Sequence, residues 1–185
     1  MFFVSICLGS VNIPLKDVYT SLTGGEASKS TWEYIIINYR LPKAITAVLV
    51  GTGLSISGLL MQTLFRNPLA GPYVLGLSSG ASLGVAFVIL GAGFLPSFLQ
   101  IIALSSYGIV FASTIGSTLV LLLVLVVSQK LRDTMAILIV GLMFGSFTTA
   151  IVSVLTYFST AEQLQKFTFW SLGNLGNLSW KSIIV

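Results

Sequence analysis

The chain has 185 residues, 55% of them hydrophobic and 8% charged, with a formal net charge of +4 and a mean hydropathy of +1.00. A soluble domain carries roughly 25% charged residues, so water is excluded as the solvent of most of this chain. A lone cysteine, Cys7, and no histidine exclude an intrachain disulfide and a Cys/His metal cluster, and nine basic residues scattered over segment ends without a stripe exclude a nucleic-acid surface.

The first residues, Met1 to Gly9, are apolar but too few to span a bilayer and have no basic leader, so they read as the end of a helix. Residues 9 to 43 form a polar connection. Within it Leu15, Val18, Tyr19 and Leu22 fall at helical spacing, which predicts a short amphipathic surface helix from Leu15 to Leu22. Arg40-Leu41-Pro42-Lys43 then opens the first complete span, with the proline placed in the first helical turn, where its missing N–H is no loss. No charge occurs from Ala44 to Phe65, and these 22 residues make a helix of roughly 33 Å, enough for the ~30 Å hydrocarbon core of a bilayer.

From 67 to 129 the chain runs 63 residues without Asp, Glu, Lys or Arg. It cannot be one helix, because Arg66-Asn67-Pro68-Leu69-Ala70-Gly71-Pro72 breaks it. The following block is rich in glycine and serine, so its regular helix is placed at about Leu77 to Gly91. A third span is expected from about Leu104 to Val127, closed by Ser128 to Asp133, and a fourth from Thr134 to about Phe158. Trp180 to Val185 reads as the first turn of another apolar helix. Trp32, Trp170 and Trp180 lie outside the apolar blocks, as aromatic residues at headgroup level do. The expected architecture is all-α: a polytopic transmembrane helix bundle of about four complete spans, with partial spans at both ends. By charge count, the positive-inside rule puts the long loop 9–43 in the cytoplasm.

Small residues recur every fourth position at Gly76, Gly80 and Gly84, at Gly108, Ala112 and Gly116, and at Gly141, Gly145 and Thr149. Lipid gives helices no hydrophobic reason to associate, so such stripes predict close backbone packing. Ser146, Thr149, Ser153 and Thr156 share one helix face, which either packs on a neighbour or lines a wet translocation path. Gly76-Leu77-Ser78-Ser79-Gly80 spells the G-x-S-x-G of a nucleophile elbow, but without a histidine, or a lysine inside the span, the serine has no base. No carboxylate stands inside any span, so an intramembrane proton relay or aspartyl protease lacks its working groups, and no phosphate-binding G-x-x-x-x-G-K-[ST] occurs. The chain reads as a non-enzyme with no cofactor. The interrupted segment around Asn67, Pro68, Gly76, Ser78, Ser79 and Gly80 is either a structural kink or part of a transport route, since irregular backbone at membrane depth survives only inside protein or beside a cavity.

Residues 40–43, the run from Gly51 to Pro72 (GTGLSISGLLMQTLFRNPLAGP) and the run from Leu75 to Gly84 (LGLSSGASLG) closely resemble the FecCD family of ABC importer permeases, which serve iron-siderophore, haem and cobalamin uptake. Weaker agreement continues through Leu138-Ile139-Val140-Gly141 and through Phe169 to Gly173 and on to Trp180. The resemblance implies a partial transmembrane permease domain over residues 1–185, the N-terminal half of a ten-span subunit of the bacterial inner membrane. It implies a second permease subunit, cytoplasmic ATPase subunits that hydrolyse ATP, and an extracytoplasmic substrate-binding protein as partners, with the lipid bilayer around and no nucleic acid. It also reverses the charge-based orientation, placing loop 9–43 outside and Arg66 and Lys130 to Asp133 inside. Arg40 and Lys43 then match positions that dock the binding protein, although as plain interfacial anchors they need no partner, and Asp133 and Thr134 match a cytoplasmic gate. A non-transporting structural membrane protein, or a passive channel, is the alternative.

Overall fold

The structure, a computed structural model, describes residues 2–94, 96–131, 133–173, 175, 178 and 180–183. Arg132 of the expected inner charge cluster, and Ile184 and Val185 of the expected closing helix, lie outside the described residues. The described residues divide into two compact units, one of residues 1–54 with 174–185 and one of residues 55–173.

In the first unit, helix α1 (Phe2–Cys7) leads through a loop to α2 (Leu15–Leu22), which occupies the span its apolar spacing predicts. Its Val18 is buried with Ile6, Ile13, Ile36 and Ala44, while Leu15 and Tyr19 on its other side are exposed. Asp17, also on α2, is buried and accepts hydrogen bonds from the Ser28 hydroxyl (2.6 Å) and the Ser28 amide (2.8 Å). These two donors, the hydroxyl first, hold the Asp17 carboxyl below its ordinary range; burial opposes them and Lys16 adds a small further lowering.

The polar connection does not last to residue 43. Helix begins at α3 (Ser30–Ile35), passes through a π-helical turn (Ile36–Arg40) and continues as α4 (Leu41–Phe65), 36 residues in all. Pro42 therefore sits inside a helix rather than opening one. The wide turn accommodates it: the Leu41 amide reaches back five residues to the Ile36 carbonyl, which relaxes the ladder where a proline ring would otherwise strike the preceding turn. Sequence alone shows the proline but not the π-turn that tolerates it. In the same unit α10 (Trp180–Ile183) is anchored by the Trp180 indole N–H, which donates to the Ile37 carbonyl at 2.9 Å.

In the second unit α4 ends at Phe65 in a Schellman turn. The Arg66 amide donates to Thr63 and the Asn67 amide to Gln62, with Arg66 left-handed at φ 48°. Asn67 Oδ1 accepts from the Leu69 amide and Gln62 Nε2 donates to the Pro68 carbonyl, so the break is stitched on both sides. A 3₁₀ turn (Pro72–Leu75) then leads through left-handed Gly76 into α5 (Leu77–Ile89), 13 residues long and followed by a second 3₁₀ turn (Gly91–Phe94). Next come α6 (Ser97–Ala103), α7 (Ser106–Ser128), α8 (Thr134–Tyr157) and α9 (Ala161–Ser171). Among the described residues, three helices have the length and apolarity to cross a bilayer: 30–65, α7 and α8. The second of the four expected crossings is the interrupted one, and its α-helical part is too short to span by itself.

Short α5 packs against α7 and α8 through the glycine stripes. A Cβ at Gly80 would stand 2.7 Å from the Gly116 carbonyl oxygen, one at Gly84 would strike the Ala112 carbonyl, and one at Gly141 would stand 2.6 Å from that of Val74. Only hydrogen fits. Two apolar clusters complete the unit: Phe65, Ala70, Leu75, Val120, Val124 and Leu138 near the break, and Val85, Ala86, Ile89, Leu90 and Phe167 toward the other end of α5.

Candidate functional site

The break and the hydroxyl face meet at one place. Along α8 the residues buried against the unit are Leu138, Gly141, Gly145 and Thr148. Ser146 and Thr149 each follow one of these by a single residue, so they stand about 100° further round the helix. They are exposed, and with Tyr73, Gly76 and Ser79 they line an open cavity of about 380 Å³. Gly76 permits this closeness twice over. Its φ of +75° is left-handed, and a Cβ there would stand 2.9 Å from the Gly141 carbonyl.

The cavity wall is neutral and mostly spent. Ser146 donates to the Leu142 carbonyl (2.9 Å) and Thr149 to that of Gly145 (2.8 Å), each within its own helix. Ser153 and Thr156 do the same further along the face, to Thr149 (3.0 Å) and Ser153 (2.8 Å), but do not line the cavity. A hydroxyl whose proton is committed to a backbone carbonyl still presents a lone pair outward, so the wall offers weak acceptors and no charge. Ser79 is the exception: its hydroxyl makes no hydrogen bond among the described residues, and it is half-buried at the cavity.

The other expected residues lie apart. Asn67 and Pro68 build the break itself, Ser78 is exposed, and Gly80 is consumed in packing on α7. Asp133 caps α8, accepting from the Met135 amide at 3.0 Å, with exposed Thr134 beside it; a carboxylate suits the positive end of that helix. In the first unit Arg40 is committed to backbone: its Nη1 donates to the carbonyls of Ile6 (2.6 Å) and Cys7 (2.9 Å), and its Nη2 to that of Val11. Lys43, one turn on, is exposed. Tyr73, immediately after the second proline of the break, joins the site only through the fold. Helix α9 lies between the end of the fourth expected span and Trp180, and Thr160-x-x-Gln163 marks its start as a capping box that the structure shows formed in both directions.

An interrupted short helix wedged between two long ones, with a neutral recess at the interruption, is the architecture of a membrane transport subunit. A solved structure described as an inward-facing conformation of an ABC transporter assigned to the metal-chelate type overlays with a TM-score of 0.78 at 26% identity, covering 99% of this chain and 52% of that one. The sequence profile of the FecCD transport family matches residues 1–185, and the chain belongs to that family. It is a multi-pass protein of the bacterial inner membrane. Among its relatives are the hemin transport system permease protein HmuU of Yersinia pestis, 36% identical over all of this chain and 54% of the relative, and the vitamin B12 import system permease protein BtuC of Klebsiella pneumoniae, 31% identical over 97% of this chain and 49% of the relative. The chain thus spans about half the length of the curated relatives it matches.

Proposed function

We propose that this chain forms part of the permease subunit of an ATP-binding-cassette importer that carries a haem, cobalamin or iron-siderophore type of complex across the inner membrane. In this reading it works with a second permease subunit, with cytoplasmic ATPase subunits that supply the energy, and with a substrate-binding protein on the outer side; the names of HmuU and BtuC support the haem and cobalamin classes, and membership of the FecCD transport family supports the ATPase and the binding protein. The observation that carries the reading at the level of residues is the displacement of Ser146 and Thr149 from the packing face of α8 onto an open recess beside the helix break. Hydroxyls facing lipid would gain nothing, and hydroxyls serving only helix packing would sit with Gly141, Gly145 and Thr148.

A bulky polar cargo moves fastest past walls that hold it weakly, because every strong contact has to be broken again before release. Hydroxyls already bonded to their own backbone, next to glycines that leave room, meet that requirement. Alternating access follows from the ATPases moving the assembly, and this chain performs no covalent chemistry. Replacing Ser146 and Thr149 together by leucine keeps the helix and its packing face intact. Uptake of the cargo by cells carrying the assembled transporter is expected to fall while the amount of assembled complex stays constant. Uptake at the unsubstituted rate would remove these two residues from the path.

A further inference from the structure

A second cavity, of about 610 Å³, lies within the first unit, where residues 8–11 pass the Tyr39–Ala47 stretch. That volume accommodates a ligand of small-molecule size. Its lining divides by chemistry. Arg40 and Lys43 stand three residues apart on one helical face and make one end basic. No Asp or Glu lines the cavity, and neither cation enters an ion pair among the described residues. The rest is largely apolar, with Leu8 and Val11 across from Ala44 and Ala47, whose small side chains leave the helix surface open.

Arg40 is held in place before any ligand arrives. Its three bonds to the Ile6, Cys7 and Val11 carbonyls fix the guanidinium, and Gly9 makes room, since a Cβ there would stand 2.8 Å from Nη2. Those bonds leave the positive charge unneutralised. Lys43 is exposed beside it and is the last charge before the 22 charge-free residues 44–65. The basic end therefore lies at headgroup level and the alanine end inside the hydrocarbon boundary, with Tyr39 at the same interface.

We propose that this cavity binds an anionic phospholipid, its phosphate against Lys43 and Arg40 and one acyl chain along Ala44 and Ala47. A soluble anion makes no use of the apolar end. A zwitterionic lipid brings its own cation toward two fixed ones, whereas an anionic headgroup gains from each lysine or arginine at the membrane surface.

The test is native mass spectrometry on the protein purified from membranes and exchanged into mixed phosphatidylglycerol and phosphatidylcholine of matched acyl chains. Phosphatidylglycerol is expected to be retained roughly fivefold over phosphatidylcholine, the share that one basic side chain supplies. Lys43→Gln should abolish that preference and Lys43→Arg keep it, while Ala47→Leu should lower retention of the lipid by filling the acyl end. Equal retention of the two lipids, a preference unchanged by Lys43→Gln, or full displacement of the lipid by inorganic phosphate would overturn the proposal. So would loss of binding-protein capture in Lys43→Gln with lipid retention unchanged, which would assign the lysine to protein docking instead.

Discussion

Substituting alanine for Gly80 asks whether backbone contact is what seats the interrupted helix. The added Cβ would lie 2.7 Å from both the Gly116 carbonyl oxygen and Val120 Cγ2, against an ordinary contact of 3.4 Å or more. The carbonyl is locked in the α7 ladder and cannot turn aside, so α5 and α7 must part by about 0.7 Å along a stripe that also includes Gly84 and Ala112. Overpacking of this kind costs about 1–3 kcal/mol, which for a chain of this size lowers Tm by roughly 2–12 °C. The comparison is Gly58→Ala on α4, where a Cβ meets nothing within 4 Å and alanine should stabilise by about 0.5–1 kcal/mol through helix propensity. Heating the detergent-solubilised protein and following the monodisperse fraction by size-exclusion chromatography reads both. If Gly80→Ala melts with or above the unsubstituted protein, the glycine stripe is not the packing surface.

Gly76→Ala meets a left-handed backbone, worth about 1–2 kcal/mol against any L side chain, as well as the Gly141 carbonyl, so it should reduce the yield of folded protein more than Gly80→Ala does when the two are expressed side by side. Arg40→Gln strips the Ile6, Cys7 and Val11 carbonyls of a charged donor, a kind of bond worth about 1.5–3 kcal/mol when well made and less where water reaches it, and limited proteolysis within residues 2–11 should speed up. The Asp17 carboxylate is held below its ordinary range by Ser28, so its contribution to stability is complete above about pH 3.9 and is lost as pH falls through the lowered folded value. Hydrogen exchange at the Ser28 amide should therefore be protected at neutral pH and lose protection, relative to the intrinsic rate, only in strong acid; protection already lost near pH 5 would contradict the clamp.

Features set by long-range composition were legible in the sequence. Charge-free runs placed α7 and α8 to within two residues of their ends, and the four-residue recurrence of glycine identified the surfaces by which α5 meets both neighbours. Apolar spacing placed α2 residue for residue. What escaped depended on the partner of a backbone group. Pro42 looked like a helix start because the π-turn that relieves it is a hydrogen-bonding arrangement without a composition of its own. Arg40 reads as a free surface cation until the carbonyls of Ile6, Cys7 and Val11 are seen around it. For the candidate site, sequence put Ser146 and Thr149 on one face and Gly76 and Ser79 in the break. Only the fold shows that these share one cavity, that Tyr73 joins them, and that Ser153 and Thr156 do not.

The claim that the hydroxyl face of α8 borders a wet path is tested most directly by thiol accessibility in a Cys7→Ala background, Cys7 being the chain's one cysteine. Cysteines introduced singly at Ser146 and Thr149 of the proposed importer should react with a charged, membrane-impermeant maleimide, at rates that change when the proposed ATPase partner is trapped with nucleotide. A cysteine at Met143, exposed on the adjoining apolar face of the same helix, should stay unlabelled. If all three positions resist the reagent in every nucleotide state, Ser146 and Thr149 face lipid or buried protein, and the recess beside the break is not a transport path.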